Sequence, residues 1–423
     1  MRRFLPLMIF VLMIVPGNNL RAQLPNDVKP IADTSQNTDP ASPMVPLVIP
    51  EGMDMSFDGL LNQWYAKKNI PSIAPSDTIN PYVSDSTIIS RLSRLPDIIE
   101  MPFNEYVRTC INFYTNKRRK QVSYMLALAK YYMPLFEQVI LANKLPDELK
   151  YLPIIESALN PTAYSRAGAA GLWQLVVSTA RIYGLQVNSL IDERMDPVKS
   201  TKAAVHYLKD LYHIYGDWDL VIAAYNCGPG TINKAIRRSG GKHDYWQIYP
   251  YLPMETRSYV PIFIAANYVM NYYKDCNLSI APIYMPLSDT VMVHDKIHFI
   301  QLSDLLHIPI EELRTLNPEY RQDIVPGNIE PCPLRLPLEA TSIFLANESK
   351  IAAYKADELF PNRLVVEPVK AKSAYRHRRI HRVRNGESLW EIARRYHVTT
   401  RELKRWNHLR TKTLRKGTRL VIY

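Results

Sequence analysis

Residues 121–144 read QVSYMLALAKYYMPLFEQVILANK, with apolar side chains at i, i+3, i+4 and i+7, the spacing of one helix face. Val122, Met125, Leu126 and Ala129 open that series. The same spacing runs through EYVRTCINFYT (105–115), STKAAVHYLKDLYHIYG (200–216) and SYVPIFIAANYVMNYYK (258–274). Between residues 86 and 275 almost nothing alternates like a strand. Helix ends or turns are expected at Leu145-Pro146, Gly184, Gly216-Asp217 and Gly228-Pro229-Gly230. The reading is a mainly α chain, with one all-α domain over residues 86–280.

Outward from that domain the composition changes. The chain begins MRRFLPLMIFVLMIVPGNNLRAQ: two arginines, an apolar run from Phe4 to Val15, then a polar stretch with small Ala22. This predicts a secretory signal peptide over residues 1–22, because the run is shorter than the roughly 20 apolar residues that span a bilayer. No cysteine follows the run, so a lipid anchor has no attachment residue there. Residues 23–85, rich in Pro, Asp, Ser and Asn, read as a flexible linker. Cys110, Cys227, Cys276 and Cys332 lack metal-ligand spacing, so neither metal nor organic cofactor is expected. An exported chain could pair them in three ways, among which sequence does not choose.

The net charge is +12, and residues 376–423 alone carry 15 Lys and Arg against 3 Asp and Glu. One terminal module therefore holds the whole surplus. Export argues against nucleic acid as its partner and toward an anionic envelope polymer or surface, with peripheral envelope association left open.

An internal echo links the C-terminal segments. HIPIEELRTLNPEY from His307 and HVTTRELKRWNHLR from His397 align without gaps, so that His, Glu, Leu and Asn recur 90 residues apart. Each copy closes on a strand candidate, LRLPL (334–338) or RLVIY (419–423), which predicts two copies of one small α/β fold. The expected bounds are 286–340 for the first copy, 341–378 for a linker and 379–423 for the second.

The chemistry centres on PIIESALNP (153–161). Glu156, behind Ile154 and Ile155 and ahead of a turn, would be partly desolvated, which favours its neutral form and raises its pKa. The same stretch also admits an ordinary surface glutamate. SRAGAAGLWQ (165–174) follows, with glycines that permit close backbone approach, and with Trp173 and Gln174 as a stacking face and an amide for a sugar ring. Trp173 equally suits a core. Tyr225 and Asn226 end an apolar helix, and Glu255 and Tyr259 stand four apart at the start of another.

Glu156-Ser157, Gly171-Leu172-Trp173-Gln174, Ala224-Tyr225-Asn226 and Glu255-Thr256 with Tyr259-Val260, in this order, resemble the lysozyme-like lytic murein transglycosylases, specifically the membrane-bound type D enzymes. The resemblance covers residues 86–340. RVRNGESLWEIARRYHVTTRELKRWNHL with LRKGTRLVIY resembles LysM, a peptidoglycan-binding module, and the earlier copy resembles a degenerate LysM segment without the Gly-x-Ser-Leu-Trp element.

The resemblance implies that Glu156 is general acid and base, that Ser165 and Gln174 position substrate or Glu156, and that Tyr225, Asn226 and Tyr259 line the cleft. It implies glycan contacts in LysM at Asn385, Gly386, Glu387, Ser388, Leu389, Asn407, His408, Leu409 and Arg410, with peptidoglycan glycan strands as the partner. It also implies formation of 1,6-anhydromuramyl ends, which needs no second carboxylate. Asp192, Glu193 and Asp196 are expected instead to cap and start a helix near Pro197. A goose-type lysozyme-like hydrolase and a non-catalytic wall-binding protein are the competing readings.

Overall fold

The structure, a computed structural model, describes residues 47–50, 80–96, 98–283, 285–360, 379–384, 386–396, 398, 400–407, 409 and 414–422. The expected signal peptide, residues 1–22, lies outside them. Among the described residues no helix is long and apolar enough to cross a membrane.

The first body is helical. α1 (Asp85–Leu92) and α2 (Glu105–Asn112) start on Ser84 and Asn104, whose side chains accept the N–H of Thr87 and Val107. This satisfies donors that a helix start leaves orphaned. A π turn at Phe113–Lys117 leads into α3 (Arg119–Ala142), which continues through Pro134. The short α4 (Leu152–Ser157) and α5 (Val177–Ile182) flank the Gly-rich loop, and α6 (Pro197–Tyr215) starts on Asp196 with Pro197 at its first turn. Gly216, in the left-handed region, ends α6, and Asp217 caps α7 (Trp218–Cys227). α8 (Pro229–Arg238), α9 (Tyr245–Ile248) and α10 (Met254–Asn271) complete the body. All of the expected breaks are used.

The last helix, α10, is buried on nearly every side, from Thr256 to Met270, as its all-round apolar sequence requires. It packs against α2, α4 and α7, so the segments around Glu156, Asn226 and Tyr259 meet on one scaffold. Leu47 and Ile49, inside the expected 23–85 linker, pack on this core, and the Val48 N–H donates to Ser258 Oγ at 3.1 Å.

The second body pairs β1 (Ser288–Val293) antiparallel with β4 (Cys332–Pro337), and β2 (Lys296–His298) with β3 (Ile324–Pro326). α11 (Phe299–Leu306) and α12 (Ile310–Leu316) lie between the strands in sequence. The linker expected from residue 341 is corrected here: Leu338–Ala353 forms a 16-residue helix, α13, followed by α14 (Ala356–Leu359). Phe344 and Ile351 of α13 are buried in the same core as Phe299, Leu313 and Leu334. A weakly amphipathic polar helix was legible only once its two anchors met that core.

The C-terminal body pairs β5 (Arg379–Arg382) with β6 (Arg419–Ile422) and carries α15 (Leu389–Arg395) and α16 (Thr400–Trp406). Its core is Val383, Leu389, Ile392, Ala393, Leu403, Leu420 and Ile422. The echo has a physical cause. Asn317 donates to the carbonyls of Leu313 (3.0 Å) and Arg335 (2.8 Å) and accepts the Arg335 N–H (2.7 Å). Asn407 donates to Leu403 (2.9 Å) and Val421 (2.7 Å) and accepts the Val421 N–H (2.6 Å). In each copy one amide clamps the second helix to the closing strand.

Candidate active site

Glu156 is the penultimate residue of α4. The helix stops there because Ala158 and Leu159 both take left-handed backbone, φ 51° and 62°. Such conformations in non-glycine residues cost on the order of 1 kcal/mol or more each and persist where surroundings over-determine them. Here both residues are fully buried, and their N–H groups donate to the carbonyls of Ile154 and Pro153. Ser157 donates to the Pro153 and Leu172 carbonyls (3.1 and 2.9 Å), tying the Glu156 turn to the Gly-rich loop.

The Glu156 residue is 9 % exposed, between wholly buried isoleucines and the core. Burial pushes its carboxyl up to about 8; the Tyr259 hydrogen bond pulls the other way, and the Glu255 carboxylate adds to the rise. The Tyr259 hydroxyl donates to Glu156 Oε1. Burial, then the Glu156 charge, holds the Tyr259 and Tyr225 phenols well above their ordinary range. Glu156 is thus a carboxylic acid at neutral pH with a neutral phenol fixed on it.

Tyr225 is buried and donates to the Trp173 carbonyl at 2.6 Å. Asn226, partly exposed at the end of α7, accepts from Thr256 Oγ1 at 2.8 Å, joining α7 to the first turn of α10. Gln174, with φ 45°, donates to the carbonyls of Ala163 (3.2 Å) and Gly171 (2.9 Å). Its Oε1 is buried and has no partner among the described residues. Ser165 Oγ accepts the Ala169 N–H at 3.1 Å and shapes its own loop.

Three expectations change. Trp173 is not a sugar platform: it is fully buried, edge-on to Phe136 with ring centroids 5.3 Å apart, and its indole N–H donates to Thr201 Oγ1 at 2.9 Å. Gly171 serves close backbone packing, not ligand approach. Its φ is +83°, and a Cβ there would lie 1.8 Å from the Arg194 carbonyl oxygen. In DERMDP only Asp196 caps α6, accepting from the N–H of Val198 and Lys199. Asp192 pairs with Arg194 and Arg321, and Glu193 accepts the Gln186 N–H and pairs with Lys199.

Arg194 was missed in the sequence. It is wholly buried and donates to the carbonyls of Gly168 (2.7 Å) and Leu175 (3.1 Å) and to the Tyr164 hydroxyl (2.9 Å). The available sign was a lone arginine set among carboxylates ahead of a proline-started helix.

In the C-terminal body Ser388 caps α15 in a capping box with Glu391, and Leu389 is buried in the core. Glu387 accepts from the Arg384 N–H, lies 2.8 Å from His381 Nε2 and pairs with Arg395, which with those hydrogen bonds holds its carboxyl low, at about 2. Gly386 (φ 81°) is exposed, and Leu409 packs partly buried against the core. The Leu389 side chain packs in the core, and the Asn407 amide holds α16 to β6. Asn385, His408 and Arg410 lie outside the described residues. Among the described residues no cluster of His, Cys, Asp or Glu could hold a metal ion.

Residues 139–248 match the transglycosylase SLT domain family, residues 288–353 the LysM-like domain of lytic transglycosylase MltD, and residues 381–422 the LysM domain family. The chain is 30% identical over 364 residues to the membrane-bound lytic murein transglycosylase D of Escherichia coli (strain K12), covering 83% of this chain and 74% of that one. To the soluble lytic murein transglycosylase of the same strain it is 31% identical over 124 residues, 28% of this chain and 19% of the other. The solved 70 kDa soluble lytic transglycosylase of Escherichia coli superposes on 41% of this chain and 29% of its own, with 23% identity and a TM-score of 0.31. With its three matched segments in order and the Escherichia coli transglycosylase D spanned over 74% of its length, the chain belongs to the membrane-bound lytic murein transglycosylase D family.

Proposed function

We propose that this chain cleaves the β-1,4 bond between N-acetylmuramic acid and N-acetylglucosamine in peptidoglycan, as a lytic transglycosylase with Glu156 as its general acid and base. The observation that carries the reading is the buried, neutral Glu156 with Tyr259 bonded to it. A carboxyl group near 8 is mostly protonated at neutral pH and can give its proton to the glycosidic oxygen as the anomeric C–O bond breaks. The carboxylate left behind is stabilised by the Tyr259 hydroxyl. It then takes the proton of the muramyl 6-hydroxyl, whose oxygen bonds to the anomeric carbon of its own sugar. Glu156 is regenerated, no water is consumed, and the products are a 1,6-anhydromuramyl end and a free 4-hydroxyl.

The internal nucleophile gains from effective concentration, so one carboxylate suffices. Asp192, Glu193 and Asp196, all committed elsewhere, are consistent with that. Gln174 Oε1 offers an acceptor for a substrate hydroxyl or acetamido N–H, since a buried orphan acceptor costs about 1–3 kcal/mol until filled. Asn226 and Tyr225 shape the cleft around it, and Ser165 holds the loop.

The C-terminal module targets the wall. Ser388 starts α15 and Asn407 joins α16 to β6, and Gly386, Glu387 and Leu409 border its glycan groove with Asn385, His408 and Arg410. Its cationic surplus adds a salt-dependent attraction to acidic wall polymers. Residues 1–22 direct the chain to the cell envelope. The mass of the soluble products from purified peptidoglycan tests the reading: anhydro ends support it, whereas reducing ends favour the lysozyme-like hydrolase and no products favour a wall-binding role.

A further inference from the structure

The loop over residues 186–196 lies between the Gly-rich loop beside Glu156 and the body over residues 288–353. On one side Arg194 holds the carbonyls of Gly168 and Leu175 and the Tyr164 hydroxyl. On the other, the Asp192 N–H donates to the Glu319 carbonyl (2.8 Å), the Arg321 N–H to the Leu190 carbonyl (2.7 Å), and Ile191 forms a β-bridge with Tyr320. Leu190 and Ile191 enter the core of that second body. Arg335 fastens the far end of the loop, pairing with Asp196 at 2.8 Å.

The charges form a chain through the contact. Asp192 and Arg194 are both wholly buried, paired at 2.8 Å. Asp192 Oδ2 also accepts at 2.5 Å from Arg321, whose side chain is 31 % exposed. A buried ion pair is stable only when its remaining lone pairs are satisfied. Arg321 supplies that satisfaction from a different body. Without it Asp192 Oδ2 would face the protein interior with one partner fewer, and the carboxylate that grips the Arg194 guanidinium at two atoms would keep only Arg194 as a side-chain partner among the described residues.

We propose that Arg321 is a positioning residue for the reaction: through Asp192 and Arg194 it holds the 164–175 loop against the Glu156 turn. The 288–353 body is thereby an internal clamp on the catalytic loop. Residues 318–321 follow Asn317 as residues 408–411 follow Asn407. In this copy Glu319, Tyr320 and Arg321 are engaged by the helical body.

The clamp rests on the proposed activity only for its kinetic readout, because hydrogen exchange judges it independently. The full-length protein is compared with Arg321→Ala, Arg321→Lys and, as a control on the same body, Asp304→Asn, which breaks an exposed pair with Lys355. Exchange is read at the amides of residues 168–175, and kcat and KM on soluble glycan strands of alternating N-acetylglucosamine and N-acetylmuramic acid. Arg321→Ala is expected to speed exchange in the loop about tenfold and to lower kcat about tenfold, with KM moving less than about twofold, since small misplacements at a reacting centre act on turnover. Arg321→Lys restores most of both, and Asp304→Asn behaves as wild type. Wild-type exchange and kcat in Arg321→Ala overturn the clamp. So does an equal loss in Arg321→Ala and Arg321→Lys accompanied by fast exchange throughout residues 288–353, which marks general unfolding. A wild-type protein that released no products would undo the proposed function while the loop exchange still decided the clamp.

Discussion

Tyr259, on α10, donates its hydroxyl hydrogen to Glu156 Oε1, on α4, across 103 residues of sequence. The bond favours the ionised carboxylate and so opposes the rise that burial imposes. Removing it in Tyr259→Phe is expected to raise the Glu156 pKa further, moving the alkaline limb of the kcat/KM profile up by about 0.5–1 pH unit. Turnover should fall about tenfold, because the carboxylate formed after the first proton transfer loses its donor. A profile unmoved in Tyr259→Phe would remove Tyr259 from the account.

Burial of Glu156 also makes a statement about stability. Its folded pKa, about 8, lies above the ordinary glutamate value of 4.5, so the folded state holds an extra proton between those values. Stability therefore falls as pH rises from about 4.5 to 8 and levels off beyond. Glu156→Gln, which keeps the shape without the charge, should be more stable than wild type at pH 9 by on the order of a few kcal/mol, with the gap closing toward pH 4. Denaturant unfolding at the two pH values measures it; a gap independent of pH would show that Glu156 does not titrate as described.

Gly171→Ala should disrupt the site without touching an ionisable group. The new Cβ would overlap the Arg194 carbonyl oxygen, and the φ of +83° is unfavourable for any side chain. A loss of about 3 kcal/mol or more is expected, read as a fall in Tm together with loss of activity. A variant with wild-type Tm would mean that the loop can move away from Arg194.

The helical body was legible in sequence because its signals are local: apolar spacing within each helix and caps at Ser84, Asn104, Asp196 and Asp217 lie within a few residues of what they govern. Glu156 was legible for a similar reason, since Ile154 and Ile155 adjoin it. Trp173 stayed open between a sugar face and a core residue because its partners, Phe136 and Thr201, are 37 and 28 residues away and a local reading cannot see them. Arg194 and the helix at Leu338–Ala353 were missed on the same ground: Arg194 answers to Tyr164, Gly168 and Leu175 and the helix to Phe299 and Leu313, all far off along the chain. Cys227 stands at the end of α7, half-buried, with burial raising its thiol to about 11.

Asn407 should prove structural. Asn407→Ala removes three hydrogen bonds, two of them joining α16 to Val421 of β6 and one to Leu403 in α16 itself, and at about 1 kcal/mol each, with more for the Val421 groups left unpaired, the module should lose about 2–4 kcal/mol. Co-sedimentation with insoluble peptidoglycan should weaken in step with loss of the module's thermal transition. Weakened binding by a module of unchanged Tm would instead make Asn407 a direct glycan contact.

The central claim is that Glu156 alone performs both proton transfers. It is tested most directly by mass spectrometry of the soluble products that the wild-type protein and Glu156→Gln release from purified peptidoglycan. The account predicts 1,6-anhydromuropeptides from the first and none from the second, with the variant still folded. Anhydromuropeptides released by Glu156→Gln at the wild-type rate would contradict it.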